Sequence, residues 1–196
     1  MSKLFGASHY TEVDLKDEGF KSLGKNVLIA KTCTIIGAEN ISIGDNVRID
    51  GYCTLVAVGD GFIELGSYIH IGGYCVMLAA KGIIMQDFSG LSWGVQIYTK
   101  SDDFSGRYMT NPMVPEKYTG VKGGLVSLGR HAIVGANTVI LPNVDIGVGV
   151  AVGAQTLINK NLDEWSIYAG SPVKRVNRRL KKLLLLEEQM KKDLGL

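Results

Sequence analysis

Between Leu128 and Asp163 an aliphatic residue returns at every sixth position: Leu128, Val134, Ile140, Ile146, Val152 and Ile158. A small residue follows most of them (Gly129, Gly135, Gly147, Gly153). Four positions after each stands a second compact or apolar side chain: Ala132, Thr138, Val144, Val150, Thr156 and Leu162. A period of six matches neither the turn of a helix nor the alternation of a long strand. It matches a β-solenoid, in which each hexapeptide is one short strand and one turn, with the aliphatics stacked inside.

The ladder starts at Leu23, and its interruptions set the coil shape. The aliphatic positions group as Leu23, Ile29, Ile35; Ile43, Ile49, Leu55; Leu65, Ile71, Met77; and Met85, Leu91, Ile97, before the six named above. Steps within a triplet are always six, and extra residues enter only between triplets. Three repeats per group make three flat faces, so a coil is a triangle of 18 residues and every insert leaves from one corner. The fold class expected is an all-β solenoid of about six triangular coils over residues 23–172, with one long loop at 100–124. Residues 1–22 lack the period, although Asp14, Asp17 and Glu18 could sit on a short opening helix.

A chain of 196 residues, 46% of them hydrophobic, can bury one sizeable core. The net charge of +2 gives no nucleic-acid footprint. No apolar run reaches membrane-spanning length and Met1–Phe5 lacks a signal-peptide core, so a cytoplasmic location is expected. Cys33, Cys53 and Cys75 each follow an inward aliphatic by four positions, and Val95, Thr138 and Thr156 continue the column. They read as buried, reduced thiols filling a compact position, not as a disulfide framework or a metal site.

Gly135-Ala136-Asn137-Thr138-Val139-Ile140 and the closing Ile167-Tyr168-Ala169-Gly170-Ser171-Pro172-Val173 resemble the left-handed β-helix acyltransferases, hexapeptide-repeat enzymes. Within them the chain is most similar to the galactoside, maltose and O-antigen sugar O-acetyltransferases, over residues 23–178. The resemblance implies a left-handed parallel β-helix, a homotrimer, acetyl-CoA as donor, and active sites shared by neighbouring subunits. Tyr68, Tyr74 and Trp93 on the outer faces would supply apolar surface for subunits to cover.

In the galactoside-type enzymes a histidine at the mouth of the long loop is the general base, and an ungapped alignment from Asp87 puts Asp102 there. A carboxylate can accept a hydroxyl proton, more readily if its pKa is raised, and Asp103 beside it would supply a like charge. The alternative is that both are solvated loop carboxylates capping a turn. The loop itself reads as an acceptor-site arm that also contacts a neighbour, or as a brace for the trimer. His70 faces outward in a segment, Ile69-His70-Ile71-Gly72, that resembles the galactoside enzymes, and is either a second candidate base or an interface histidine. His131 occupies an outward position with a solvated or subunit-facing role, and His9 lies outside the ladder. The wide spacing of the three histidines excludes the zinc chemistry of β-helix carbonic anhydrases. Leu78 aligns where the galactoside enzymes carry an asparagine, so their acceptor is not carried over.

For the donor, Gly135 and Gly153, and Ala136 and Ala154, are 18 residues apart and stack on successive coils. Small outward residues there leave a groove for a pantetheine arm, or they merely satisfy tight hexapeptide turns. Lys160, Lys174 and Arg175 are candidates for the phosphates of acetyl-CoA. From Val173 to Leu194 the period becomes helical, and a C-terminal helix over 173–196 is expected. It packs on the solenoid, or its basic first half touches anionic lipid at the inner membrane's cytoplasmic face. The main expectation for function is acetyl transfer to a hydroxyl of a lipopolysaccharide or related saccharide. N-acetylation of a nucleotide-linked amino sugar and a non-catalytic trimeric scaffold are the alternatives.

Overall fold

In the computed structural model, which describes residues 8–195, the chain winds a solenoid of three parallel sheets. Successive strands from Ser22–Leu23 to Val144–Ile146 form the first face. Those from Leu28–Ala30 to Ala151–Val152 form the second, and those from Thr34–Ile36 to Leu157–Ile158 the third. Six full coils result. A seventh begins with the Ile146–Leu162 bridge and the strand Ser166–Ala169.

The inward positions explain why such short strands hold. Ile49 pairs with Ile71, Ile71 with Leu91, Leu91 with Val134 and Val134 with Val152. All are buried, as are the matching columns on the other faces. A two- or three-residue strand is worth little alone, so the stacked aliphatic column supplies the stability. Turns close the coils through left-handed residues, among them Asn26, Asn46, Asn137 and Asn143, a residue that tolerates this backbone. His131 also takes the same conformation, and Tyr52, Tyr68, Tyr74, Phe88 and Trp165 do so without that excuse. Their rings stack on one another or, at Trp165, on Gly149.

Every insert does leave from the corner between the third face and the next first face. The long arm there is closed at its root by Lys100–Ser101 pairing with Lys122–Gly123. Its outer part is open to solvent, with Phe104 93% and Met113 90% exposed.

Both ends of the solenoid are covered. At the start, His9–Thr11 pairs antiparallel with Leu28–Ala30 and leads into a single helical turn, Glu12–Leu15. Thr11 and Asp14 cap that turn reciprocally and Leu15 plugs the first coil. The expected opening helix is thus shorter than Asp14, Asp17 and Glu18 together imply. At the other end, the helix expected from Val173 begins only at Lys182 and runs to Leu194. Lys174–Arg178 is instead a strand, antiparallel to Ser166–Ala169. The last second-face strand would otherwise present an unpaired edge, and the chain folds back to close it. Among the described residues no helix is long and apolar enough to cross a membrane.

Candidate active site

The corner between the second and third faces is built from three adjacent columns. Leaving the second face, successive coils place Asp50, Gly72, Ser92, Gly135 and Gly153 first. Gly51, Gly73, Trp93, Ala136 and Ala154 come next, followed by Tyr52, Tyr74, Gly94, Asn137 and Gln155, all left-handed. The corner therefore changes along its length from aromatic to small.

The small half contains the expected donor residues, and they are brought together. A Cβ on Gly135 would stand 2.5 Å from the Ala154 nitrogen and 2.7 Å from the Gly153 carbonyl carbon, so crowding alone demands glycine there. No such demand falls on the alanines. Ala154 is exposed, Ala136 half-buried, and the Gln155 N–H donates to the Ala136 carbonyl at 2.8 Å. Beside them the Gly135 and Gly153 column continues to Ala169, whose strand partner is Lys174, with Arg175 next. Both cations are exposed at that end of the small-residue corner. Lys160 lies elsewhere. It follows the third-face strand Leu157–Ile158 and so stands at the next corner, apart from the other two.

His70 projects from the second face with its side chain 58% exposed, and its Nε2 lies 2.8 Å from Asp50 Oδ2. Asp50 also accepts from Arg48 Nε at 2.7 Å. Burial pushes the Asp50 carboxyl up, but donation from His70 and Arg48 outweighs it and holds the group below its ordinary range. His70 lines a cleft of about 370 Å³ with Ser92, Trp93 and Gly90. That volume is at the small end for a ligand pocket.

Asp102 and Asp103 occupy the root of the arm, and Asp103 is not raised by its neighbour. The Asp103 carboxylate accepts from Ser105 Oγ at 2.7 Å and from the Ser105 and Arg107 N–H groups at 3.2 Å. These donors, the Ser105 hydroxyl foremost, hold it below the usual carboxylate range. Asp103 is a turn-forming residue. Asp102 is half-buried, and its Oδ2 accepts only a long bond, 3.4 Å, from the Asn111 N–H.

His131 departs further from expectation. It is buried, stacks on Phe88 with ring centroids 5.1 Å apart, and is hydrogen-bonded through Nε2 to Glu187 of the C-terminal helix at 2.6 Å. Its outward position is real, but the helix covers it. His9 Nε2 is buried and has no hydrogen-bond partner among the described residues. Among the described residues no three His, Cys, Asp or Glu side chains converge as a metal site would require.

Ser92 is the residue that sequence reasoning passed over. It stands in the column that holds Gly72, Gly135 and Gly153, at the junction of the aromatic and small halves and on the rim of the His70 cleft. A hydroxyl interrupting a glycine column was its visible signal. On one chain Ser92 and Asp102 lie at opposite corners of the third face, with strand Gln96–Tyr98 between them.

A parallel solenoid with a small-residue corner groove, a polar junction and an arm at the next corner defines an acyl-transferring β-helix protein. The chain belongs to the left-handed β-helix acyltransferase family. It is 39% identical to the dTDP-4-amino-4,6-dideoxy-D-glucose acyltransferase of Escherichia coli, across 94% of this chain and 95% of that enzyme. It also resembles AntD, an N-acyltransferase from Bacillus cereus solved with dTDP and 3-hydroxybutyryl-CoA. There the identity is 43% and the TM-score 0.93, over 97% of this chain and all of that one. A serine-to-alanine variant of AntD, bound to dTDP-4-amino-4,6-dideoxyglucose and coenzyme A, superposes with a TM-score of 0.92 at 43% identity. It spans 96% of this chain and 100% of that one. No family model matches the chain.

Proposed function

We propose that this protein transfers the acyl group of an acyl-CoA to the amino group of a nucleotide-linked amino sugar. The observation that carries the reading is likeness over 94–96% of the chain to one enzyme named for such an acceptor and to an N-acyltransferase solved with one bound. This is the alternative of the sequence reading, and it displaces acetylation of a saccharide hydroxyl as the favoured one. An amine is a far better nucleophile than a hydroxyl, so the missing loop histidine costs such an enzyme less.

The AntD structures add a further support. They include substitutions of an aspartate and of a serine ten positions before it. In the present sequence only one serine precedes an aspartate by ten positions, and the pair is Ser92 and Asp102. In the proposed mechanism Asp102 takes the proton leaving the acceptor nitrogen, and Ser92 Oγ–H donates to the thioester carbonyl oxygen as charge develops on it. The amide bond forms, the carbon–sulfur bond breaks, and the proton passes to the departing thiol. Because Ser92 and Asp102 stand at opposite corners of one chain, the reading includes a homotrimer. In it the arm of one copy, with exposed Phe104 and Met113, reaches the Ser92 corner of the next. His70 then orients the acceptor, and acyl-CoA lies over Ala136 and Ala154 with Lys174 and Arg175 toward its phosphates. Lys160, at the arm-side corner, would reach them only from a neighbouring copy. Both substrates belong to the cytoplasm, which is the proposed location.

The test is thiol release from acetyl- and 3-hydroxybutyryl-CoA in the presence of dTDP-4-amino-4,6-dideoxyglucose or its 4-hydroxy counterpart, with product masses. Turnover of the amine alone supports the reading. Turnover of the hydroxyl sugar restores O-acylation, and thiol release with neither leaves the scaffold alternative.

A further inference from the structure

The rings on the aromatic half of the Ser92 corner stand outside the solenoid's hydrophobic core. Tyr52 and Tyr74 stack with centroids 4.9 Å apart, and Tyr74 meets Trp93 at 5.7 Å. The three are 59%, 55% and 56% exposed, while the aliphatic columns beneath them are complete without them. The arrangement also carries a cost. Tyr52 and Tyr74 hold φ of 63° and 60°, a backbone that side chains with a Cβ rarely adopt. Trp93 reaches the ladder from the neighbouring column by lying over Gly73, where a Cβ would stand 3.3 Å from its ring. In the next coil the left-handed position passes to Gly94, and the Asn137 side chain folds into the space a Cβ there would take. The aromatic surface therefore stops at Ser92, where the small-residue groove begins.

Hydrogen-bond donors stand beside the ladder. Arg48 and His70 both reach the carboxylate of Asp50, and their side chains are 57% and 58% exposed. A flat aromatic ladder beside an exposed guanidinium and an exposed imidazole matches a planar base carrying phosphates.

We infer that Tyr52, Tyr74 and Trp93 bind the nucleoside of the acceptor, with its diphosphate toward Arg48 and His70. One corner then holds both substrates end to end, acceptor on the aromatic half and donor on the small half, and Ser92 marks where they meet. This rests on the proposed acyl transfer to a nucleotide-linked sugar and assigns that ligand's binding surface.

The probe is thymidine diphosphate alone, followed through tryptophan fluorescence in a Trp165→Phe background, where Trp93 is the remaining one of the two tryptophans. Saturable quenching is expected. Tyr74→Ala should weaken it about tenfold, and should raise KM for the nucleotide sugar by a similar factor while KM for acyl-CoA stays within about twofold. Tyr52→Ala, at the ladder's free end, serves if Tyr74→Ala fails to fold, with a smaller shift of the same sign. Absence of quenching, or unchanged diphosphate affinity in both variants, overturns the inference. So does a Tyr74→Ala protein that falls to monomers by light scattering and loses both substrates together, since the ladder would then be a surface between copies. If the ladder binds the diphosphate but no amino sugar is turned over, the ladder stands and the acyl-transfer reading fails. If turnover is normal in wild type and in both variants, the reverse holds.

Discussion

His131 and Glu187 are separated by 56 residues of sequence and joined by a 2.6 Å contact between Nε2 and Oε2. Glu187 also pairs with Arg130 and, at 2.6 Å, with Lys191 one helical turn on. Arg130 in turn reaches Asp87 at 2.8 Å and lies over the Phe88 ring. No residue of the C-terminal helix is fully buried, and this cluster, at the corner between the first and second faces, ties it to the solenoid.

The cluster gives the helix an acid-labile attachment. Partial burial pushes the Glu187 carboxyl up, but donation from Lys191, Arg130 and His131 prevails and brings it from 4.5 to about 2. A value below the ordinary one means the attachment is complete above about pH 4.5 and is lost as pH falls toward about 2. Protection of the amides in 182–194, measured against their intrinsic exchange rates, should therefore be high at pH 6 and fall near pH 3. Glu187→Gln should show little protection at either pH and weaken docking on the order of 2 kcal/mol. Equal protection in variant and wild type at pH 6 would refute the attachment.

How these two residues met could not be seen in the sequence. The hexad ladder was legible because an inward position recurs without a slip inside each triplet, and burial enforces that spacing. His131 falls on an outward position, where only a distant partner decides whether it is wet or covered. Val176 and Leu180 sit by coincidence on the helical step that runs from Leu183 to Leu194, which moved the expected helix start into what is a strand. That strand exists to close an edge, and edge closure leaves no periodic mark. At the candidate site, glycine and alanine spacing pointed to the small-residue columns proposed for the donor, and the loop alignment pointed to Asp102, the proposed base. Ser92 stood in plain view as the one hydroxyl in a glycine column, and Asp103 needed coordinates to be recognised as a turn residue.

The donor groove should respond to bulk and to nothing else. Ala154 is exposed, so Ala154→Trp strains no core contact, yet its ring would lie where the pantetheine arm is placed. KM for acyl-CoA should rise about tenfold or more with thermal stability unchanged and KM for the sugar nucleotide held. An unaltered acyl-CoA KM would move the donor to another surface.

Sharing of the site between copies can be read by mixing. Asp102→Asn should lower turnover by about two to four orders of magnitude, and Ser92→Ala by about a hundredfold. Refolded together in equal amounts, the two variants should recover about a quarter of wild-type activity, since one interface in four pairs an intact Asp102 with an intact Ser92. Light scattering on the same sample should give three times the chain mass. Recovery no greater than the sum of the separate variants would put both residues in one subunit's site. Should Asp102→Asn keep wild-type turnover while His70→Ala loses it, the base is His70.

The cysteines follow from the same corner. Cys53 and Cys75 are buried, and each thiol in the column donates to a corner carbonyl: Cys33 to Asp50, Cys53 to Gly72 and Cys75 to Ser92, at 3.1, 3.1 and 3.2 Å. Cys33 departs from the expected burial. It is half-exposed because the first coil has no coil beneath it. The Cys53 sulfur and burial together push the Cys33 thiol up. Cys53 gains from its bond with Cys33, but Cys75 and burial outweigh this and push it up to about 12. Thiolate is the reacting form, so exposure of Cys33 alone should not make it fast. A thiol reagent at neutral pH should label Cys33 slowly, and Cys53 and Cys75 only on unfolding. Cys53→Val should cost less than about 1.5 kcal/mol and leave turnover within about twofold, because Val95, Thr138 and Thr156 fill the same column in later coils. Rapid labelling of Cys53 or Cys75 in the native protein would mean that this corner opens, and a donor groove resting on it could not be rigid.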